Sequence, residues 1–129
     1  MKEIPSPDKW LKEAKESEIA RLCGMFLLHN GIVRETAKAK VRQGDENTRE
    51  VKGMYFSSDE EKVNAAIAGA YAMPGIYYVR VWLNEGELKT GDDIMFVLVG
   101  GDIRPHVVDA LQSLVAEIKT NCVIEKEIY

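Results

Sequence analysis

"DIMFVLVGG" at residues 93–101 runs directly into "DIRPHVVDALQSLVAEIKTNCVIEKEIY" at 102–129, and this junction decides the fold. The first stretch is apolar and rich in β-branched residues without alternation, the pattern of a strand central in a sheet. Asp102 stands where a helix cap belongs, and Pro105 suits the first turn that follows. Val107, Val108, Leu111, Leu114, Val115 and Ile118 then recur at helical spacing. The chain turns at Thr120-Asn121 and closes on "CVIEKEIY", where Val123, Glu125 and Glu127 alternate with Ile124, Lys126 and Ile128. A strand, a helix and a returning strand therefore follow one another.

Working outward, "IYYVRVWLN" (76–84) reads as a strand with Tyr77, Val79, Val81 and Leu83 on one face. "NEGELKTGDD" holds two glycine-centred turns around a short segment. A helix begins at Ser58, spaced from Glu61 as in a capping box, and stops before Met73-Pro74-Gly75. "VKGMYFS" (51–57) is a strand, and the polar stretch 34–50 around Gly44-Asp45 is a mobile loop or extended hairpin. "LCGMFLLHNGIV" (22–33) reads as a strand buried on both faces, and residues 8–20 as a short helix with Trp10, Leu11, Ala14 and Ile19 on its apolar side. The order is α-β-β-α-β-β-α-β: an α+β fold, one domain over 1–129, with helices packed on a mostly antiparallel sheet.

Composition narrows the function. A chain of 129 residues builds a core without metal or disulfide staples. Its net charge of −4 argues against a general nucleic-acid binder but leaves room for a local basic pocket and a small anion. Cys23 and Cys122 have no CxxC or histidine cluster beside them, so two reduced, mostly buried thiols are expected and no metal site. The N-terminal stretch lacks the apolar core of a signal peptide, and no apolar run is long enough to span a membrane, so the expected location is the cytoplasm.

None of GxxxxGK[ST], GxGxxG, GxSxG or HExxH occurs. "VGGD" at 99–102 could offer backbone N–H groups to an anion or could simply be a tight strand-to-helix turn. Arg104 opposes the helix dipole, which favours negative charge at that end, so it could serve an anion or lie in solvent; His106, two residues on, could be a surface residue or a base. Lys119 suits a helix C-terminus, and Lys126 suits an edge strand that discourages sheet-to-sheet pairing. The reversal at Asn121 would also bring the two lysines within about 10 Å, at about 3.3 Å per strand residue. Two ammonium groups that close would depress one pKa and create a nucleophile or base.

The ordered elements Gly86-Glu87-Leu88, Gly91-Asp92 before an apolar strand, Arg104 opening a helix, and Lys119-x6-Lys126 across a helix-to-strand junction resemble the large, catalytic subunit of molybdopterin synthase. "GIVR" (31–34) resembles that family's strand-end Gly-x-Val-Arg and adds Arg34. The likeness covers residues 24–34 and 76–128 well and 35–75 poorly. It departs at Ile103, where the family has His before Arg, and the chain stops at Tyr129, where the family commonly continues. The resemblance implies an α/β hammerhead-like fold and no metal or organic cofactor. It implies sulfur transfer to cyclic pyranopterin monophosphate from the thiocarboxylated Gly-Gly tail of a small ubiquitin-like partner. Two large subunits would form a central homodimer within a heterotetramer. Arg34 and Arg104, with His106 nearby, would bind the substrate phosphate; Lys119 would transfer protons or capture an acyl group; Lys126 would stabilise negative charge; Gly100 and Gly101 would leave room for the partner's tail. A second reading is a homologue that binds the carrier tail as a scaffold or regulator without transferring sulfur.

Overall fold

A computed structural model describes residues 3–35 and 51–129. Helix α1 (Pro7–Glu16) is capped by the Ser6 side chain, which accepts from the Lys9 N–H at 3.3 Å. It ends four residues before the predicted 20: the Ser17 hydroxyl donates to the Ala14 carbonyl at 2.7 Å, and a 3-10 turn (Glu18–Leu22) takes over. Strand β1 (Met25–Ile32) follows, then β2 (Gly53–Ser58), α2 (Glu60–Tyr71), β3 (Ile76–Leu83), β4 (Gly86–Lys89), β5 (Asp93–Gly101), α3 (Arg104–Glu117) and β6 (Val123–Ile128). The short segment between the two glycine turns is thus a strand in its own right, β4. The predicted loop at 34–50 lies almost wholly outside the described residues.

The strands form two antiparallel sheets, β1-β5-β3 and β4-β2-β6. The α+β expectation holds, with β5 in the middle of its sheet and Ile94 through Gly101 all buried. Its side chains divide by parity. Met95, Val97 and Val99 face α2 and α3, while Phe96 and Leu98 face Trp10 and Ala14 of α1. Both faces being covered, alternation between apolar and polar residues has no role in β5.

Three expectations fail for local reasons. Strand β1 was read as doubly buried, yet it is an edge strand and only partly covered, because β5 occupies the centre. Tyr77 was placed on one face with Val79, Val81 and Leu83, but the register shifts between Ile76 and Tyr78, so Ile76 takes the buried position and Tyr77 turns outward. Ser58 was read as the helix cap, but it is the last residue of β2, paired with Val123; Asp59 caps α2, accepting from the Lys62 N–H at 3.3 Å.

Helix α3 continues into a π turn, Ile118–Cys122, in which Ile118 and Cys122 are buried and Lys119 is half-buried. Such wide turns are often found at functional sites. Here the turn delivers the chain into β6, whose partner β2 is set by the Val123↔Ser58 to Ile128↔Gly53 register.

Candidate functional site

Lys119 continues the half-buried stripe of Leu111 and Val115 at four-residue spacing, so its stem follows apolar surface and its ammonium emerges at the end of α3. A cleft of about 560 Å³ opens there between the two sheets. Arg34, Lys119, Lys126 and Glu125 line it, with Ile94 and Met54 among its apolar walls. Arg34 is exposed but carried on a fixed backbone. The Val33 N–H donates to the Asp92 carbonyl at 3.0 Å, and the Val51 N–H donates to the Glu35 carbonyl at 2.8 Å. Val33 itself is 1% exposed, a peg that holds the arginine's position.

Lys126 arrives differently. It pairs with Tyr55 on the outer face of β4-β2-β6, opposite in parity to Glu125 and Glu127, which share the inner face with Phe56 and Met54. Because β6 is an edge strand, the long side chain borders the cleft over the free edge. It also lines a second hollow of about 520 Å³ with Tyr55 and Ile124. Three of the predicted cations therefore meet at one cleft, and Lys126 does so from its rim.

The other predicted residues lie elsewhere. Arg104 opens α3 and Lys119 follows its end, so about 22 Å of helix axis separates them at about 1.5 Å per residue. Asp102 does not cap α3; its carboxylate accepts from the Ile103 N–H and pairs with His106 Nδ1 at 2.8 Å. The His106 bond, with the Ile103 N–H, holds the Asp102 carboxyl below its ordinary range. His106 is thereby anchored at the Arg104 end of the helix. Gly100 and Gly101 are at that end too, and their small size is used internally. A Cβ on Gly100 would lie 2.5 Å from the Phe26 ring, and one on Gly101 would lie 2.5 Å from the Gly75 carbonyl oxygen. Neither lines the Lys119 cleft.

Two residues were missed. His29 is on the helix-covered side of β1, opposite Val97, and its Nε2 is buried with no hydrogen-bond partner. Burial, and secondarily the charge of Lys119, hold its pKa below the ordinary 6.5, so the ring is neutral. Glu125 has a buried Oε1 that likewise has no partner. The signal for His29 was one imidazole inside the otherwise apolar "MFLLHNGIV". For Glu125 there was none, since "EKE" on an edge strand reads as solvated charge.

The thiols are poor candidates for chemistry. Cys122 is buried and Cys23 half-buried, both are free, and burial raises the pKa of each above its ordinary value, with acidic neighbours adding to this. Among the described residues no cluster of three His, Cys, Asp or Glu side chains is placed to hold a metal ion. A larger groove of about 670 Å³ between α2 and α3 is lined by Ala65, Ala66, Gly69 and Ser113 and contains none of the predicted site residues.

The family model for the MoaE protein matches residues 5–121. The chain belongs to the MoaE family. MoaE is the catalytic subunit of molybdopterin synthase, so the sequence resemblance and the family agree. The fold of this MoaE-family chain is similar to that of molybdopterin synthase from Staphylococcus aureus, with TM-score 0.73 at 18% identity over 97% of this chain and 86% of that one. It is also similar to the molybdopterin biosynthesis MoaE protein from Burkholderia ambifaria, with TM-score 0.72 at 18% identity over 98% and 79%. A third similar structure is the complex of subunits 1 and 2 of the molybdopterin-converting factor from Helicobacter pylori, with TM-score 0.65 at 18% identity over 97% and 84%. No curated protein sequence matches the chain significantly.

Proposed function

We propose that the Lys119 cleft is where this MoaE-family chain, as the catalytic subunit of a molybdopterin synthase, transfers sulfur to cyclic pyranopterin monophosphate. The observation that carries this reading is the convergence of Arg34, Lys119 and Lys126 on one cleft. A phosphate-bearing substrate needs charge-assisted donors, and Arg34 provides a planar fork for phosphate oxygens. Lys119, half-buried at the floor, is placed to move protons or to capture the acyl group of the carrier's thiocarboxylate. Lys126, at the rim, stabilises negative charge as the acyl–sulfur bond breaks.

The sulfur donor is a small ubiquitin-like partner with a thiocarboxylated Gly-Gly end. Its tail would enter the cleft between the sheets, not the glycine pair at 100–101. Arg104 cannot reach a phosphate held at Lys119 within one chain. In the central homodimer of a heterotetramer, a second copy would present it. Among the described residues no helix is long and apolar enough to cross a membrane; the cytoplasm is the compartment proposed for this reaction.

The test is a single-turnover reconstitution with cyclic pyranopterin monophosphate and thiocarboxylated carrier, scoring dithiolene after oxidation to its fluorescent form. Product that disappears in Lys119→Ala is expected. A wild-type protein that binds the carrier yet makes no product would replace this reading with that of a non-catalytic carrier-binding homologue.

A further inference from the structure

Glu125 is out of place in a site built for a phosphate alone. A carboxylate beside Arg34, Lys119 and Lys126 repels an incoming phosphate and weakens the field that attracts it. The neighbouring Glu127 is engaged, accepting from the Tyr129 hydroxyl at 3.2 Å. Glu125 differs: its Oε1 is buried in the cleft wall without a hydrogen-bond partner. Buried, unsatisfied acceptors are rare in folded proteins because the lost hydration is not replaced.

The other such atom belongs to β1, the strand whose Ile32 lines the cleft. His29 Nε2 and Glu125 Oε1 are the buried side-chain nitrogen and oxygen without a partner among the described residues. Gly31 keeps space open in front of the imidazole. A Cβ placed there would sit 3.7 Å from His29 Nε2, 3.8 Å from the Cβ of Ile94, a cleft wall, and 3.2 Å from Met95 Cγ. The His29 ring is close enough to Lys119 to feel its charge. Three cations and the Glu125 carboxylate thus line one cleft, with the His29 imidazole across Gly31 from its Ile94 wall, and a ligand that matched them would carry both a phosphate and a neutral group with N–H donors.

A pterin has that second group. Its pyrimidinone edge presents the ring N3–H and the 2-amino group side by side, a pair of parallel donors that fits the two oxygens of a carboxylate. We propose that Glu125 reads this donor edge of the substrate's pterin, with His29 as a second polar contact to the ring, while Arg34 holds the phosphate and Lys119 and Lys126 are left to the transfer itself. The assignment rests on the synthase reading and adds what selects the heterocycle.

The sign of one substitution decides it. Binding of cyclic pyranopterin monophosphate to the full chain would be measured by calorimetry for the wild type, Glu125→Gln and His29→Phe, with inorganic phosphate as the second probe. The glutamine amide replaces one acceptor oxygen by an NH2 donor that faces the pterin's own donor, so Glu125→Gln should weaken pterin binding by about ten- to hundredfold. Inorganic phosphate should bind Glu125→Gln as tightly as the wild type or more so, which also shows that the variant is folded. His29→Phe should weaken the pterin several-fold and leave phosphate unchanged. If Glu125→Gln leaves pterin binding unchanged or tightens both probes, Glu125 only tempers the cationic field and the proposal is overturned. If His29→Phe leaves pterin affinity unaltered, the part assigned to His29 is overturned. A wild-type protein that binds phosphate but not the pterin overturns the synthase reading and this proposal together, an outcome distinct from the other two.

Discussion

Ile118 and Lys119 are neighbours in the π turn with opposite duties, so truncating each separates fold from chemistry. Ile118 is 0% exposed, and cutting it to Ala costs about 2–5 kcal/mol for a buried large-to-small change. Lys119 gives the helix end a favourable cation, and losing it costs about 0.3–1 kcal/mol. With 129 residues the unfolding entropy is about 0.27 kcal/mol/K, so 1 kcal/mol corresponds to about 4 °C. Thermal unfolding followed by circular dichroism should therefore show Ile118→Ala lower by about 7–18 °C and Lys119→Ala by at most about 4 °C. Single-turnover sulfur transfer should invert the order. Lys119→Ala should lose about 10²- to 10⁴-fold in rate if it serves as acid or base. Ile118→Ala, assayed well below its midpoint, should keep most of its activity. A Lys119→Ala protein as unstable as Ile118→Ala would show that the lysine is a packing element. A stable one that still transfers sulfur at the wild-type rate would remove Lys119 from the chemistry.

His29 offers a titration. Replacing Lys119 by Met removes the lesser of the two causes that depress the imidazole, so its pKa by NMR should rise yet stay below 6.5, because burial remains. Since the folded pKa lies below the unfolded value, the unfolded chain binds more protons in that interval. Stability should therefore decline as pH falls below about 6.5 and level off below the folded pKa; an unchanged imidazole pKa in the Lys119 variant would refute the proximity. Two glycines should respond to Ala with opposite signs in urea unfolding. At Gly101 the new methyl meets the Gly75 carbonyl oxygen and Val107 Cγ2 and should cost about 1–3 kcal/mol or more. At Gly69 in α2 nothing lies within 4 Å, and the change should stabilise by about 0.5–1 kcal/mol.

Much of this was legible in the sequence, and the residues show why. The apolar, β-branched run of 94–101 read as a strand central in a sheet, and the helical spacing from Val107 to Ile118 placed a helix after it. What failed did so where a neighbour or a single hydrogen bond overrode a local preference. An apolar stretch such as 22–33 looks the same whether it is central or at an edge, until β5 takes the centre. Asp102 has the chemistry of a cap, but His106 one turn later competes for its carboxylate and wins. The bulge at Tyr77 is a matter of register against Gly100 and Gly101, which no pattern within 76–84 contains.

The candidate site divides in the same way. Arg34, Lys119 and Lys126 were found because their residue types and spacing match a family, and the family is a property of the sequence. The helix length between Arg104 and Lys119 was set by the periodicity, but that the three cations share one cleft, that His106 is tied to Asp102, and that Gly100 and Gly101 are filled by internal packing follow only from the tertiary structure. His29 and Glu125 belong to that second class. Local periodicity records which face of an element a side chain occupies, because each element has a fixed period. Whether that face meets a partner atom, a charge or an empty cleft depends on contacts between residues far apart in the chain, and those form only when the two sheets close around the end of α3.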